Sequence, residues 1–312
     1  MKVLVTGANG FVGRYLTQLL VSEGFEVTAV VRASAVAQVT SAHSIVIVDD
    51  ICSVDEWTVA AKGQDAVVHL AARAHILHES GVDSMSEYTR INVEGTKSII
   101  EGCLAAKVGR FLYLSSIKVN GEKTVDLPFR CDDVPRPIGG YAISKKLAED
   151  ALMKTCAAGR IDWVIIRPPL VYGSGVKANF SRLINFAQSG WFVPLGACQN
   201  HRSIVYVGNL CSLISRSLVD KRACGQTLLV SDGRDLTVAE LIREISKASC
   251  KPTRLVYVPR FLLSVAGTIL GMKNQIDRLT QPLEVDISET TALLNWHPPF
   301  DVEEAIRLTV HG

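Results

Sequence analysis

"KVLVTGANGFVG", Lys2 to Gly13, is the stretch that decides the fold. A short β-rich run ends in glycine, and Gly7, Gly10 and Gly13 then lead into "GRYLTQLLVSEG", which has helical spacing and a glycine stop at Gly24. Glycines let a backbone approach a pyrophosphate closely, and a helix N-terminus offers free N–H groups and the positive end of its dipole. The spacing is G-x-x-G-x-x-G rather than G-x-G-x-x-G, so its placement between a strand and a helix carries the dinucleotide-binding reading. Asn9, Phe11 and Val12 belong to the same expected cofactor loop.

Outward from this loop, apolar runs alternate with helical stretches: "EVTAVVR", "SIVIVDD", "DAVVHLAA", "FLYLSS" and "WVIIRPP". Continuous apolar strands separated by helices predict an α/β fold, a Rossmann-type doubly wound parallel sheet covered on both faces. After Pro169 the rhythm changes, with a loop-like "VYGSGVKAN" and a helix "FSRLINFAQSG". "RSIVYVGNL" and "QTLLVSDG" read as further strands, and "TVAELIREISKAS" as an amphipathic helix with a Thr237/Glu240 capping box. The expected division is a dinucleotide-binding domain over 1–169 and a smaller C-terminal substrate-binding lobe over 170–312, with about 203–233 returning to the sheet.

Composition excludes several classes. Among 312 residues the hydrophobic share is 48% and the charged share 21%, which describes a globular and not a disordered chain. A net charge of +2 gives no general attraction to nucleic acid or acidic lipid, and neither is an expected partner. None of the eight cysteines forms a C-x-x-C pair, which suits a reducing, cytoplasmic compartment. The opening residues lack the long apolar core of a signal peptide, so none is expected, and the apolar "FLLSVAGTILGM", Phe261 to Met272, is too short to span a bilayer; a core helix is preferred to an interfacial one.

The ends of the strands speak to cofactor choice. An acidic residue about twenty positions beyond the glycines grips a ribose 2′-OH. Here the second strand ends in Arg32, which suits a 2′-phosphate and predicts a preference for NADP(H), with NAD(H) as the alternative. Asp50, taken as the end of the third strand and followed by Ile51, is the expected acceptor for an adenine amino group, with Asp49 an equal alternative. "HLAA", with Leu70, Ala71 and Ala72, ends the next strand in residues that permit close approach of the cofactor.

Further on, "SSIKVNG" begins at Ser115, and "YAISKK" holds Tyr141 and Lys145 one helical turn apart on one face. A free phenol with pKa about 10 is a poor acid–base catalyst, and a nearby ammonium is expected to lower it. A strand-end serine hydroxyl can hydrogen-bond the same substrate oxygen. Together these groups move a proton to or from an alcohol or ketone beside a nicotinamide. His75, His78 and Glu79 suggest a metal pair, but no further ligand is visible and no metal is expected.

With these motifs in place, the chain resembles the extended short-chain dehydrogenase/reductases of the nucleotide-sugar epimerase/dehydratase type. "TGANGFVG", "VVHLAA", "NVEGT", "YLSSIKVNG", "YAISKKLAE", "RPPLVYGSG", "RSIVYVGNL" and "LNWHP" carry the resemblance over nearly the whole length. It implies Tyr141 as acid/base, Lys145 as its modulator and ribose ligand, and Ser116 as donor to the substrate oxygen. It also implies Asn92 as a supporting asparagine, Ser115 in the cofactor site, and backbone near Pro168 against the nicotinamide. A nucleotide-sugar site would draw on Lys118 and on Asn179 at a helix start, with Arg202 and Arg278 holding the diphosphate. The same resemblance implies a homodimer through the helices after "NVEGT" and around Tyr141.

Family dehydratases carry Asp-Glu directly after the catalytic serine or threonine, whereas this chain has Ile117 and Lys118, so dehydration is not expected. Asn120 stands where the family's V-Y-G tyrosine would be. Two redox reactions stay open: reduction of the C4 ketone of a UDP-4-keto-6-deoxy-N-acetylhexosamine for surface-polysaccharide synthesis, and 4-epimerisation of a UDP-sugar with bound NAD. Arg32 tips the expectation toward the reductase. A regulator that senses NADP without chemistry is the reading from another class; the presence of both Tyr141 and Lys145 speaks against it.

Overall fold

The strands of the N-terminal half are β1 (Lys2–Thr6), β2 (Glu26–Val31), β3 (Ser44–Ile47), β4 (Ala66–His69), β5 (Arg110–Leu114) and β6 (Asp162–Arg167). The C-terminal half adds β7 (Leu170–Tyr172), β8 (Phe192–Val193), β9 (His201–Arg202), β10 (Ile204–Tyr206), β11 (Gln226–Leu229), β12 (Leu236–Thr237) and β13 (Arg254–Leu255). Among the described residues, seven form one sheet in the order β11-β6-β5-β4-β1-β2-β3, every pairing parallel. The computed structural model describes the chain except residues 40, 74–81, 160, 177–178, 189–191, 194–199, 252–253, 257 and 259–280.

The apolar runs form central strands because both of their faces are covered. On one face lie α1 (Phe11–Ser22) and, from the C-terminal half, α7 (Val207–Val219), burying Leu16, Leu20, Leu210 and Ile214 against Val3, Val5 and Val68. On the other lie α2 (Val54–Ala61), α4 (Gly95–Ala105) and α5 (Gly139–Gly159), with Trp57, Ile99, Ile100 and Leu152 against Leu4, Val67 and Phe111. Gly102 permits the close approach of α2 and α4, since a Cβ there would lie 2.5 Å from that of Trp57. Between these elements, α3 (Val82–Tyr88) passes through one π-helical turn, Thr89–Glu94, directly into α4.

β11, from the C-terminal half, pairs with β6 at one edge of the sheet. Three small pairs complete the strands: β7 with β10, β8 with β13 and β9 with β12. The remaining helices are α6 (Asn179–Gln188), α8 (Val238–Ala248), α9 (Ser288–Leu294) and α10 (Val302–His311). The capping box at the start of α8 forms as expected, Thr237 and Glu240 each satisfying the other's backbone N–H.

Two sequence expectations are corrected. "RSIVYVGNL" is not strand throughout: β10 stops at Tyr206 and α7 begins at Val207. The cause is Asp232, whose Oδ1 accepts from Tyr206 N at 2.7 Å and Asn209 Nδ2 at 2.8 Å, fixing the turn into the helix. Asp50 does not end the third strand, which stops at Ile47; it lies exposed in the following bend, where its Oδ1 accepts from Cys52 N at 3.1 Å. The apolar stretch 261–272 lies outside the described residues, among which no helix is long and apolar enough to cross a membrane.

Candidate active site

The glycine loop is tight by necessity. Gly7 has φ +67°, and a Cβ on it would lie 2.9 Å from Ala71 N; a Cβ on Gly13 would lie 2.2 Å from Gly7 O. The loop closes with Gly10 N donating to Gly7 O at 2.9 Å, and the first turn of α1 follows. This cradle has room for backbone contact with a pyrophosphate and none for side chains, so it fits a dinucleotide. Phe11 and Val12 turn partly inward, the Phe11 ring edge-on to Tyr15 at 5.8 Å. Asn9 Nδ2 donates to Gln38 Oε1 at 3.2 Å, joining the loop to the 3-10 turn Ala33–Gln38 after β2. Arg32 sits exposed at the start of that turn. Ile51 packs beneath Gly95, and its carbonyl accepts from Trp57 Nε1 at 2.8 Å. Asp49 accepts from Ala33 N at 3.2 Å, while Asp50 pairs with Arg90 at 3.8 Å.

A buried chain of hydrogen bonds ties the end of β1 to α5. Thr6 Oγ1 accepts from Leu70 N and Ala71 N at 3.2 and 3.1 Å, so its proton goes to His69 Nδ1 at 2.7 Å. Nε2 then carries the ring proton and donates to Thr96 Oγ1 at 3.1 Å, which donates to Asn92 O at 2.6 Å. His69 is therefore neutral, and burial drives its pKa down to about 3. Asn92 Oδ1 accepts from Arg73 N at 2.8 Å, and Nδ2 donates to Ser144 Oγ at 2.9 Å and Arg73 O at 3.2 Å. Ser144 Oγ donates onward to Tyr141 O at 2.8 Å. Both Asn92 donors are thus taken by the protein, and it supports the site from below. Ala72 is partly buried beside this network.

Ser116, Tyr141 and Lys145 come together. Ser116 starts the 3-10 turn Ile117–Val119, accepting from Lys118 N at 3.3 Å, and its hydroxyl bonds that of Tyr141. Lys145 is buried, donates from Nζ to Leu114 O at 2.8 Å, and lies 4.6 Å from the centre of the Tyr113 ring. The expectation of an acidified phenol is corrected: burial pushes Tyr141 up to about 12, despite the bond to Ser116. Burial also brings Lys145 down to about 7, with Glu149 opposing. Desolvation thus outweighs the Ser116 hydrogen bond at Tyr141 and the Glu149 charge at Lys145, whose ammonium is turned to the end of β5. Ser115 Oγ, buried and without a hydrogen-bond partner among the described residues, is a free polar group beside this cluster. Pro168 is buried, and its carbonyl accepts from Ile117 N at 3.0 Å, holding β6 against the Ser116 turn.

The expected substrate residues fare differently. Lys118 Nζ is paired with Glu122 at 3.1 Å, a carboxylate that sequence reasoning missed although its i, i+4 spacing was there to read. Arg202 is largely buried and donates to Gln281 O at 2.7 Å; burial lowers its pKa and the charge of Glu122 opposes this. Asn179 begins α6, while Arg278 and the histidines at 75 and 78 lie outside the described residues. Ile117, at the place of a dehydratase acid, is buried with Leu229, Leu283 and Val285. Asn120 is buried too and bonds Arg167 and Arg130 O, so it is no substitute for a substrate-facing tyrosine.

Residues 3–230 match the NAD dependent epimerase/dehydratase family. A Vibrio cholerae protein described as UDP-glucose 4-epimerase is 37% identical over 100% of this chain and 95% of its own. An Escherichia coli O157:H7 protein described as N-acetyl-alpha-D-glucosaminyl-diphospho-ditrans,octacis-undecaprenol 4-epimerase is 27% identical over 88% of this chain and 80% of its own. In fold, the chain is similar to a Thermus thermophilus UDP-glucose 4-epimerase solved with NAD, with TM-score 0.78 and 22% identity over 99% of this chain and 98% of that one. The glycine cradle, the serine–tyrosine–lysine cluster and a family match over more than half of the residues converge: this chain belongs to the NAD dependent epimerase/dehydratase family and is an enzyme of the extended short-chain dehydrogenase/reductase type.

Proposed function

We propose that this enzyme inverts the configuration at C4 of a UDP-sugar, using a nicotinamide dinucleotide held on the glycine loop. The carrying observation is the Ser116–Tyr141 hydroxyl pair with Lys145 one turn on, in a chain 37% identical along its whole length to a UDP-glucose 4-epimerase. A bound nicotinamide supplies acceptance and return of a hydride. Tyr141 takes the proton of the C4 hydroxyl as the sugar is oxidised and returns it once the keto sugar has presented its other face. Ser116 donates a hydrogen bond to the same oxygen, and Lys145, when charged, favours the phenolate that the oxidative half needs. Arg202 and the start of α6 at Asn179, in the lobe beyond residue 169, would hold the nucleotide diphosphate, with Lys118 contributing from the turn that Ser116 begins. A homodimer through α4 and α5 belongs to this reading; Leu147 on α5 is 47% exposed, an apolar side chain suited to such a face.

A second reading is favoured by Arg32: reduction of a UDP-4-keto-6-deoxy-N-acetylhexosamine by NADPH. β2 is followed directly by the cation Arg32 and by no carboxylate, which suits a 2′-phosphate. Incubation with UDP-glucose and UDP-N-acetylglucosamine, without added cofactor and then with NAD, separates the two. Formation of the 4-epimers supports the epimerase. No interconversion, together with NADPH oxidation on the 4-keto sugar, overturns it in favour of the reductase.

A further inference from the structure

Beneath the reacting cluster lies an ion pair that the proposed chemistry does not use. Arg167, the last residue of β6, donates from Nε and Nη2 to the two oxygens of Glu149 at 2.9 and 2.6 Å. Glu149 is 0% exposed and Arg167 5%. A pair this deep adds little stability over a well-packed apolar alternative, because both charges are desolvated. Its third partner is peculiar to the Ser116 segment: Arg167 Nη1 donates to Asn120 Oδ1 at 3.0 Å, and Asn120 Nδ2 donates to Arg130 O at 2.9 Å. One guanidinium therefore joins the helix of Tyr141 and Lys145, the strand leading to Pro168, and the turn that Ser116 begins.

Glu149 stands one helical turn beyond Lys145, as Lys145 stands one turn beyond Tyr141. The described titratable groups around Lys145 are Tyr141 and Glu149 from α5, His69 from β4, Tyr113 from β5 and, across Glu149, Arg167 from β6. At neutral pH His69 is uncharged, and burial keeps Tyr113 and Tyr141 as phenols. Among these groups Glu149 is the anion that opposes the desolvation of the Lys145 ammonium.

We propose that Asn120, Arg167 and Glu149 are positioning residues for the reaction: Glu149, one helical turn from Lys145, offsets part of the cost of charging that buried amine, and Asn120 locks the Ser116 turn to the same guanidinium. This rests on the reading of Tyr141 and Lys145 as the reacting pair.

The test is a carbon-13-lysine NMR titration of the full-length protein, with the Lys145 signal assigned by its loss in Lys145→Met. In Glu149→Gln the Lys145 midpoint is expected to fall by about one unit, and the high-pH limb of kcat/KM to move down with it. A purely structural Glu149 would lower the unfolding temperature and leave both unmoved, which would overturn the proposal. If Glu149→Gln does not fold, Glu149→Asp, which retracts the charge, must move the midpoint in the same direction by less; an unmoved midpoint there overturns it equally. Asn120→Ala, or Asn120→Ser if that variant fails to fold, is expected to lower kcat about tenfold with KM and the Lys145 midpoint unchanged. An unchanged kcat removes Asn120 from the proposal. The titration needs no substrate, so a wild type inactive on UDP-sugars would defeat the proposed reaction and still leave the midpoint shift to be read.

Discussion

The ammonium of Lys145 donates to the backbone carbonyl of Leu114 at 2.8 Å, so the charge one helical turn from Tyr141 is anchored to the end of β5. That anchoring is set in a desolvated place, and it has a consequence for folding. Lys145 titrates near 7 in the folded protein against an ordinary value of 10.5. Between those values the unfolded chain holds more protons, so this group adds stability as pH rises through the window. The unfolding temperature of wild type minus that of Lys145→Met should therefore increase from about pH 7 toward pH 10. Thermal melts of both proteins across that range check it, and a flat difference contradicts it.

The glycine cradle makes a steric prediction. A Cβ on Gly13 would lie 2.2 Å from Gly7 O and 2.7 Å from Ala8 Cα, backbone atoms that cannot swing away. Gly13→Ala should cost about 3 kcal/mol or more in urea unfolding and lose dinucleotide binding. Gly24, with φ +81° and open space around it, should lose only about 1–2 kcal/mol as alanine and keep its ligand.

Asn92 fills three hydrogen bonds in a buried place, to both backbone groups of Arg73 and to Ser144. Asn92→Ala strands those partners, and about 2–4 kcal/mol of stability should be lost. Because Ser144 is released below Tyr141, kcat should fall more than the cofactor dissociation constant rises. Steady-state kinetics beside a cofactor titration read the two effects separately.

Arg32 is exposed and lies at the start of the turn that Asn9 reaches through Gln38. Arg32→Glu should weaken NADPH binding at least about tenfold, the worth of one charge-assisted hydrogen bond. NADH binding should stay within about threefold. Fluorescence titration with each dinucleotide checks this, and equal losses for both would place Arg32 away from the 2′ position.

Much of this was legible in the chain. The sheet follows from apolar runs ended by glycine or small residues, and the Tyr141–Lys145 face from a spacing of four. Asp50 was misplaced because strand ends depend on neighbouring pairing, and β3 is paired only as far as Ile47. The strand-to-helix change at Val207 was hidden because Asp232, its cause, stands 26 residues beyond Tyr206. The acidity of Tyr141 was misjudged because desolvation is a property of the packed interior, whereas the spacing shows only which groups are neighbours. For the same reason Arg167, in "RPP", and Glu149, in "LAED", gave no sign that they meet.

In the proposed reaction the Tyr141 hydroxyl moves the proton, and the fold around it only binds and aims. Tyr141→Phe keeps the ring against Tyr88, which lies edge-on at 6.2 Å, and removes the one oxygen. Measured on the substrate that the wild type turns over, this variant should lose about 10²–10⁴-fold in kcat and retain cofactor affinity within about threefold. Turnover within about threefold of wild type would mean that another group moves the proton.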